Sequence, residues 1–160
     1  MNYFTKIQEE IVKLGFKISS KDFDRPWGGF LAINENQSQE FLNTFHSGMD
    51  IDALKKEEKL NTKILIVKPY SKLSWQYHQR RAEIWRVYKG KVGVSRSMND
   101  IESNKIILNE KDHIRIKQGE RHRLIGLDDY AVISEIWQHT DRDYPSDEND
   151  IVRISDDYGR

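Results

Sequence analysis

The chain contains no cysteine. Disulfides, thiolate nucleophiles and cysteine-ligated zinc are therefore excluded, and any metal must be held by imidazole, carboxylate or amide groups. Neither charge is in excess, since 26 Lys and Arg stand against 26 Asp and Glu. Without a net positive field there is little to hold a phosphate backbone by counterion release, which argues against nucleic acid as a partner. No apolar run approaches the ~18 residues of a membrane span, and Met1 to Lys6 opens no long apolar segment. The expectation is a cytoplasmic protein without a membrane partner. Internal repeats, low-complexity tracts and linker-like shifts in composition are missing too, so the 160 residues are expected to form one domain with its own core.

What is present has two characters. Phe4, Ile7, Ile11 and Leu14 recur at helical spacing among Gln8, Glu9, Glu10 and Lys13, with Gly15 as a stop; this predicts an amphipathic helix packed on the rest of the fold. Arg25-Pro-Trp-Gly-Gly-Phe30 reads as a turn leading into a short strand, and Phe41, Leu42 and Phe45 share one face of a second helix over 40–45. From Asn61 the pattern changes to short β-branched and aromatic segments at 63–68, 84–88, 91–96, 105–108, 113–116 and 131–137, separated by turn pairs such as Lys-Gly and Asp-Asp. That rhythm predicts an all-β antiparallel sandwich or barrel. Alternation is imperfect over 83–88, as in a strand with one face in a core and the other lining a cavity. Composition alone reads the charged tail from Asp141, with Pro145, as a flexible end. Trp27, Trp75, Trp85 and Trp137 are expected to fill the interior, and His46 and His113 to be structural or exposed.

Gln76 and His78 are two apart, so on a strand both project from one face. Glu83 has the wrong parity for the same straight strand, but a turn over 79–82 brings it round on the next. His122 follows Gly119 after a further hairpin. Two imidazoles, a carboxylate and an amide carbonyl suit Zn²⁺, Fe²⁺, Mn²⁺ or Ni²⁺ and leave room for water or substrate. Each residue taken singly is more simply a surface or hydrogen-bonded group; their joint spacing is what argues for a site.

The stretch Ser74-Trp-Gln-Tyr-His-Gln-Arg-Arg-Ala-Glu-Ile-Trp-Arg-Val-Tyr-Lys-Gly90 resembles the first cupin motif, with Gln76 in place of its first histidine, and Gly119-Glu-Arg-His122 resembles the second, with Lys117 where proline is usual. The Gln form is similar to the cupin mannose-6-phosphate isomerases, particularly the C-terminal isomerase domain of the bifunctional enzymes. Arg25-Pro-Trp-Gly28, Gly119 to Leu124 and the ending Asp150-Ile-Val-Arg-Ile-Ser-Asp-Asp-Tyr-Gly-Arg160 extend the likeness. It covers about 25–33 and 62–160, leaving the N-terminal helix and 34–61 without a counterpart. The run after the metal histidine is Gln79-Arg80-Arg81, where histidines are often seen.

The resemblance implies a single cupin (jelly-roll) β-barrel with N-terminal helical decoration: 1–24 as helix and lead-in, 25–154 as barrel and 155–160 as a functional tail. It implies one divalent metal ion, zinc first, on Gln76, His78, Glu83 and His122, and an aldose–ketose isomerisation of a sugar phosphate, mannose 6-phosphate and fructose 6-phosphate leading. Glu135 and His139 are candidate proton carriers. Arg81, Arg123 and Arg160 are candidates for the phosphate, with Arg160 also a catalytic candidate; for Arg81 and Arg123 a surface ion-pairing role competes. Three alternatives remain open: a non-catalytic sugar-phosphate-binding cupin, an Fe²⁺ dioxygenase using His78, Glu83 and His122 as a facial triad, and a metal-free sugar-nucleotide epimerase. Small cupins often pair through edge strands, so a homodimer is expected by analogy.

Overall fold

In the computed structural model, residues 1–50, 54 and 60–158 are described. Helix α1 spans Tyr3–Lys13, and the Asn2 side chain caps it by accepting the Thr5 N–H at 2.9 Å. Ile7 and Ile11 are buried beneath it, whereas Leu14, expected on the same stripe, is the C-cap and is largely exposed. Gly15, at φ 100°, turns the chain away at that point. Helix α2, Ser38–Phe45, buries Phe41, Leu42 and Phe45.

The strands are β1 Ile18–Arg25, β2 Gly28–Ile33, β3 Leu60–Val67, β4 Trp75–Tyr77, β5 Arg81–Lys89, β6 Val92–Ser97, β7 Ile106–Leu108, β8 His113–Ile116, β9 Arg121–Gly126, β10 Ala131–His139 and β11 Val152–Ser155. They form a six-stranded sheet in the order β1-β2-β3-β10-β5-β8 and a five-stranded sheet β11-β4-β9-β6-β7, with antiparallel pairing in both. Strand parity divides the core in two. Ile64, Ile66, Ile84, Val132 and Ile136 face outward and meet α1 and α2, while Leu65, Trp85, Val87, Val92, Leu124 and Ile133 face the space between the sheets. Both faces of β3, β5 and β10 are therefore covered, which accounts for their long apolar runs.

Three strands lie where the sequence signalled none. β1 runs through residues 18–25, the segment expected to be lead-in; it is an edge strand, paired with β2 and with none of its residues buried, so it needs no apolar alternation. β9 had no separate signal because its interior positions are split between His122 and Leu124. The tail expected to be flexible is instead ordered at β11, which pairs with β4. Among the described residues, no helix is long and apolar enough to cross a membrane.

Two local features carry measurable consequences. Gly28 has φ 145°, and a Cβ there would lie 1.9 Å from the Ile66 carbonyl oxygen, so the Pro26–Trp27 turn passes too close to β3 for any side chain. Gly28→Ala is expected to cost more than about 2 kcal/mol in chemical denaturation. His46 is buried, and neither ring nitrogen has a hydrogen-bond partner among the described residues. Burial, followed by the charges of Arg86 and His113, lowers its pKa from 6.5 to about 3. Below pH 6.5 the unfolded chain therefore takes up a proton that the folded chain refuses, and stability falls with pH by up to about 1.4 kcal/mol per unit. His46→Gln should flatten that part of the profile between pH 6 and 4; parallel profiles for variant and wild type would exclude this account.

Candidate metal centre

Gln76 lies on β4 directly opposite His122 on β9. His78 follows at the end of β4, with the same parity as Gln76, and three residues of turn deliver Glu83 on β5 of the facing sheet. The His122 Nε2 atom lies 2.9 Å from Glu83 Oε1, and His78 Nε2 lies 3.3 Å from the same oxygen. One donor atom from each of His78, Glu83 and His122 falls within 4.8 Å of the others, and all three residues are buried. Neither Glu83 Oε1 nor His122 Nε2 has an aligned hydrogen-bond donor. A buried carboxylate oxygen and two imidazole nitrogens converging at these distances form a donor set that suits a cation.

The tautomers are set by the backbone. His78 Nδ1 lies 2.6 Å from the Asp150 carbonyl oxygen and His122 Nδ1 lies 2.8 Å from that of Glu120. A carbonyl can only accept, so each Nδ1 donates; in the neutral ring each Nε2 then carries a lone pair directed inward, and that of His78 faces Arg81 Nη2 at 3.2 Å. Gln76 makes its own contact through Ser74: the Ser74 hydroxyl meets Gln76 Oε1, while Gln76 Nε2 stands 3.5 Å from His78 Nε2. Because a hydroxyl accepts as well as donates, turning the amide over keeps the Ser74 bond and presents Oε1 to the site.

Asp150 secures the turn between β4 and β5. Its carboxylate accepts the N–H groups of Gln79 and Arg80 at 2.9 and 3.0 Å and the Ser146 hydroxyl at 2.6 Å. Burial raises its pKa, but these hydrogen bonds more than offset that and hold it below the ordinary value. Glu83 shows the same competition more strongly: burial opposes ionisation, yet His78, Arg81 and His122 hold it well below the usual carboxylate range. His78 is pushed down, chiefly by burial. A neutral imidazole beside an ionised carboxylate is the protonation state metal binding requires.

The other sequence candidates fall in different places. Arg81 is buried beside the centre, with Nε 3.4 Å from Glu83, Nη1 donating to the Ser146 hydroxyl at 2.9 Å and to the Asp147 carbonyl at 3.2 Å, and its guanidinium 3.5 Å from the Trp137 ring centre. Its contacts orient the metal-ligand carboxylate. Glu135 faces the cavity, and each of its oxygens accepts an indole N–H, from Trp85 at 2.8 Å and from Trp137 at 2.9 Å. These donors favour the ionised form, but burial, then the charge of Glu83, raises its pKa to about 8. His139 closes β10 with Nε2 2.6 Å from Asn61 Oδ1 and Nδ1 accepting the Ser146 N–H at 2.9 Å. Arg123 follows His122 on β9 and so faces away from the barrel interior, toward the Ser155 carbonyl and Glu102. The structure does not bring it to the centre. Arg160 lies outside the described residues.

A cavity of about 540 Å³ opens onto this centre between the sheets, lined by Gln76, Glu83 and Glu135 at one end and by Arg25, Phe30 and Lys63 toward the other. Sequence reading missed Lys63 because a lysine in a β-branched run looks like a solvent-facing strand residue. It missed the role of Asp150 because the contacts that reveal it span some 70 residues.

Comparison with known proteins identifies the family. The family model described as mannose-6-phosphate isomerase C-terminal matches residues 34–156. The xanthan biosynthesis protein XanB of Xanthomonas campestris is 32% identical over 136 residues, 85% of this chain, and a mannose-1-phosphate guanylyltransferase of Salmonella montevideo is 28% identical over 143 residues, 89% of it. The chain spans only 23% and 24% of the length of those two relatives. Among solved structures, a cupin 2 conserved barrel domain protein from Salinispora arenicola aligns at a TM-score of 0.42 with 16% identity, covering 49% of this chain and 61% of that one. With a family model matching most of its length, and two antiparallel sheets carrying the motif residues, the chain belongs to the mannose-6-phosphate isomerase C-terminal family of cupins.

Proposed function

We propose that this protein is a metal-dependent aldose–ketose isomerase acting on a sugar phosphate, with the mannose 6-phosphate and fructose 6-phosphate pair as its first substrate. The observation that carries the reading is the convergence of His78, Glu83 and His122, with Gln76 beside them, at one end of a cavity that also receives the Glu135 carboxyl. His78 and His122 would hold a divalent ion through Nε2, Glu83 through Oε1, and Gln76 through its amide oxygen, with zinc the leading ion. When bound, the ion would polarise the sugar carbonyl and stabilise the negative charge that develops on its oxygen. Three neutral donors and one carboxylate leave most of the ion's charge available for that task.

The chain's own residues supply the rest. Isomerisation moves a proton between two adjacent carbons, so one group must take it from carbon 2 and return it to carbon 1. We assign this to Glu135: Trp85 and Trp137 hold both oxygens in position, and burial raises the carboxyl toward the range in which it can both accept and give up a proton. Trp27, Phe30 and Trp137 wall the cavity and limit water around a proton that must not be lost. Arg81 keeps Glu83 turned toward the imidazoles.

The direct test is an isomerase assay on chelator-stripped protein reloaded separately with Zn²⁺, Mn²⁺, Fe²⁺ or Ni²⁺. Turnover of mannose 6-phosphate is expected only with metal and should vanish in His78→Ala. Glu135→Gln should keep its metal and lose 10²- to 10⁴-fold in kcat, roughly the range for a positioned proton carrier. Metal binding without turnover of any sugar phosphate would instead favour a binding cupin. Asp150→Asn weakens the carboxylate that fixes the His78 turn, and metal affinity measured by competition with a chromophoric chelator should fall about 10- to 100-fold; unchanged affinity would remove Asp150 from this role.

A further inference from the structure

The end of the cavity away from the metal centre is cationic in a way the isomerase reading does not use. Lys63 projects from β3 with a side chain only 8% exposed. Its ammonium sits 4.4 Å from the Phe30 ring centre and 4.2 Å from that of Trp137. The Arg25 guanidinium, paired with Asp22 at 3.0 Å, approaches the same Phe30 ring at 5.7 Å, and the exposed Arg153, opposite Gln76 on β11, lines the cavity wall nearer the metal centre. The partner of Lys63 is Glu148, whose own side chain is 60% exposed. A buried ammonium held by a carboxylate that stands mostly in water is a poorly matched pair. The cation bears the cost of desolvation, while the anion is well solvated without it.

We infer that Lys63, with Arg25 and Arg153 at the rim, takes the phosphate of the substrate, and that Glu148 is a resident counter-ion displaced when the phosphate enters. The inference deepens the isomerase reading and rests on it for the identity of the sugar. Register supports the placement. Lys63 lies directly opposite Glu135 across β3 and β10, and Glu83 lies opposite Trp137 across β10 and β5, so the ammonium and the metal end are two strand spacings apart, roughly 10 Å. An open-chain hexose phosphate, with its phosphate on the carbon farthest from the carbonyl, spans such a gap and passes Glu135 on the way. A phosphomonoester dianion also suits a buried ammonium, with the Arg25 guanidinium on the same Phe30 ring, better than a single solvent-exposed carboxylate does.

The test is calorimetric titration of metal-loaded wild type, Lys63→Met and Glu148→Gln with inorganic phosphate, mannose 6-phosphate and, as the neutral control, mannose. Lys63→Met should bind both phosphate probes at least tenfold more weakly with mannose unaffected. Glu148→Gln should bind inorganic phosphate severalfold more tightly, since its competitor is gone. That gain sits on an exposed side chain and does not depend on Lys63→Met folding well. Wild-type phosphate affinity in Lys63→Met, or unchanged or weaker phosphate binding in Glu148→Gln, overturns the inference. The two readings fail separately. Lys63-dependent phosphate binding without turnover sinks the isomerase and leaves the subsite, whereas turnover with an unchanged KM in Lys63→Met sinks the subsite and leaves the isomerase.

Discussion

Asp150 ties the end of the chain to the start of the site. Its carboxylate accepts two successive backbone N–H groups of the turn after β4, and its carbonyl accepts the Nδ1–H of His78. Position and tautomer of the first imidazole are thus set by one residue some 70 positions away in sequence. The same contact places Ser146 and Asp147 against Arg81, and Arg81 against Glu83. β11 leaves this anchor to pair with β4, beside Gln76. Gln76, Glu83 and His122 sit on strands of two facing sheets, with His78 just past β4, and the segment around Asp150 packs across the seam where those sheets meet.

The electrostatics of the interior follow from putting two carboxyls in one dry space. Glu83 is held ionised by the imidazoles and by Arg81, although its burial opposes this. Glu135 is buried too, and its pKa rises to about 8 with the charge of Glu83 adding to the effect of burial. The two environments drive the two carboxyls apart in pKa without any difference in residue type. Trp85 and Trp137 contribute as much through their N–H groups as through their bulk: each satisfies one Glu135 oxygen that would otherwise be stranded in an apolar cavity.

The strands β5, β8 and β10 were legible in the sequence because their burial is one of period and composition, which local residues report. The grouping of His78, Glu83 and His122 was legible for a related reason. Parity fixes which face each residue takes, and the turn between β4 and β5 fixes which strand. What was hidden depends on pairing partners far away. β1 is polar because only one of its edges is bonded, so it carries no alternation to read. β11 has the composition of a loose tail and is ordered only because β4 offers an open edge. Arg123 looked equivalent to Arg81 as a basic residue near a ligand histidine. Parity separates them, since Arg123 is one residue from His122 and therefore on the opposite face, while Arg81 shares a face with Glu83.

Charge balance over the whole chain also concealed the local field. Equal totals of acidic and basic residues say nothing of how charge is distributed, and a small anion responds to a cavity rather than to a total. Inside this cavity Glu83 is committed to the imidazoles and Arg81, and a Glu135 with its pKa near 8 is largely uncharged at neutral pH. Glu148, which meets Lys63, is mostly in solvent. Arg25 meets Asp22 at 3.0 Å, and Arg153 is exposed at the cavity wall, so Lys63 is the buried cation of this space, whose aromatic walls lower the dielectric and lengthen the reach of its charge. A chain with no net charge can therefore gather positive charge along one cavity.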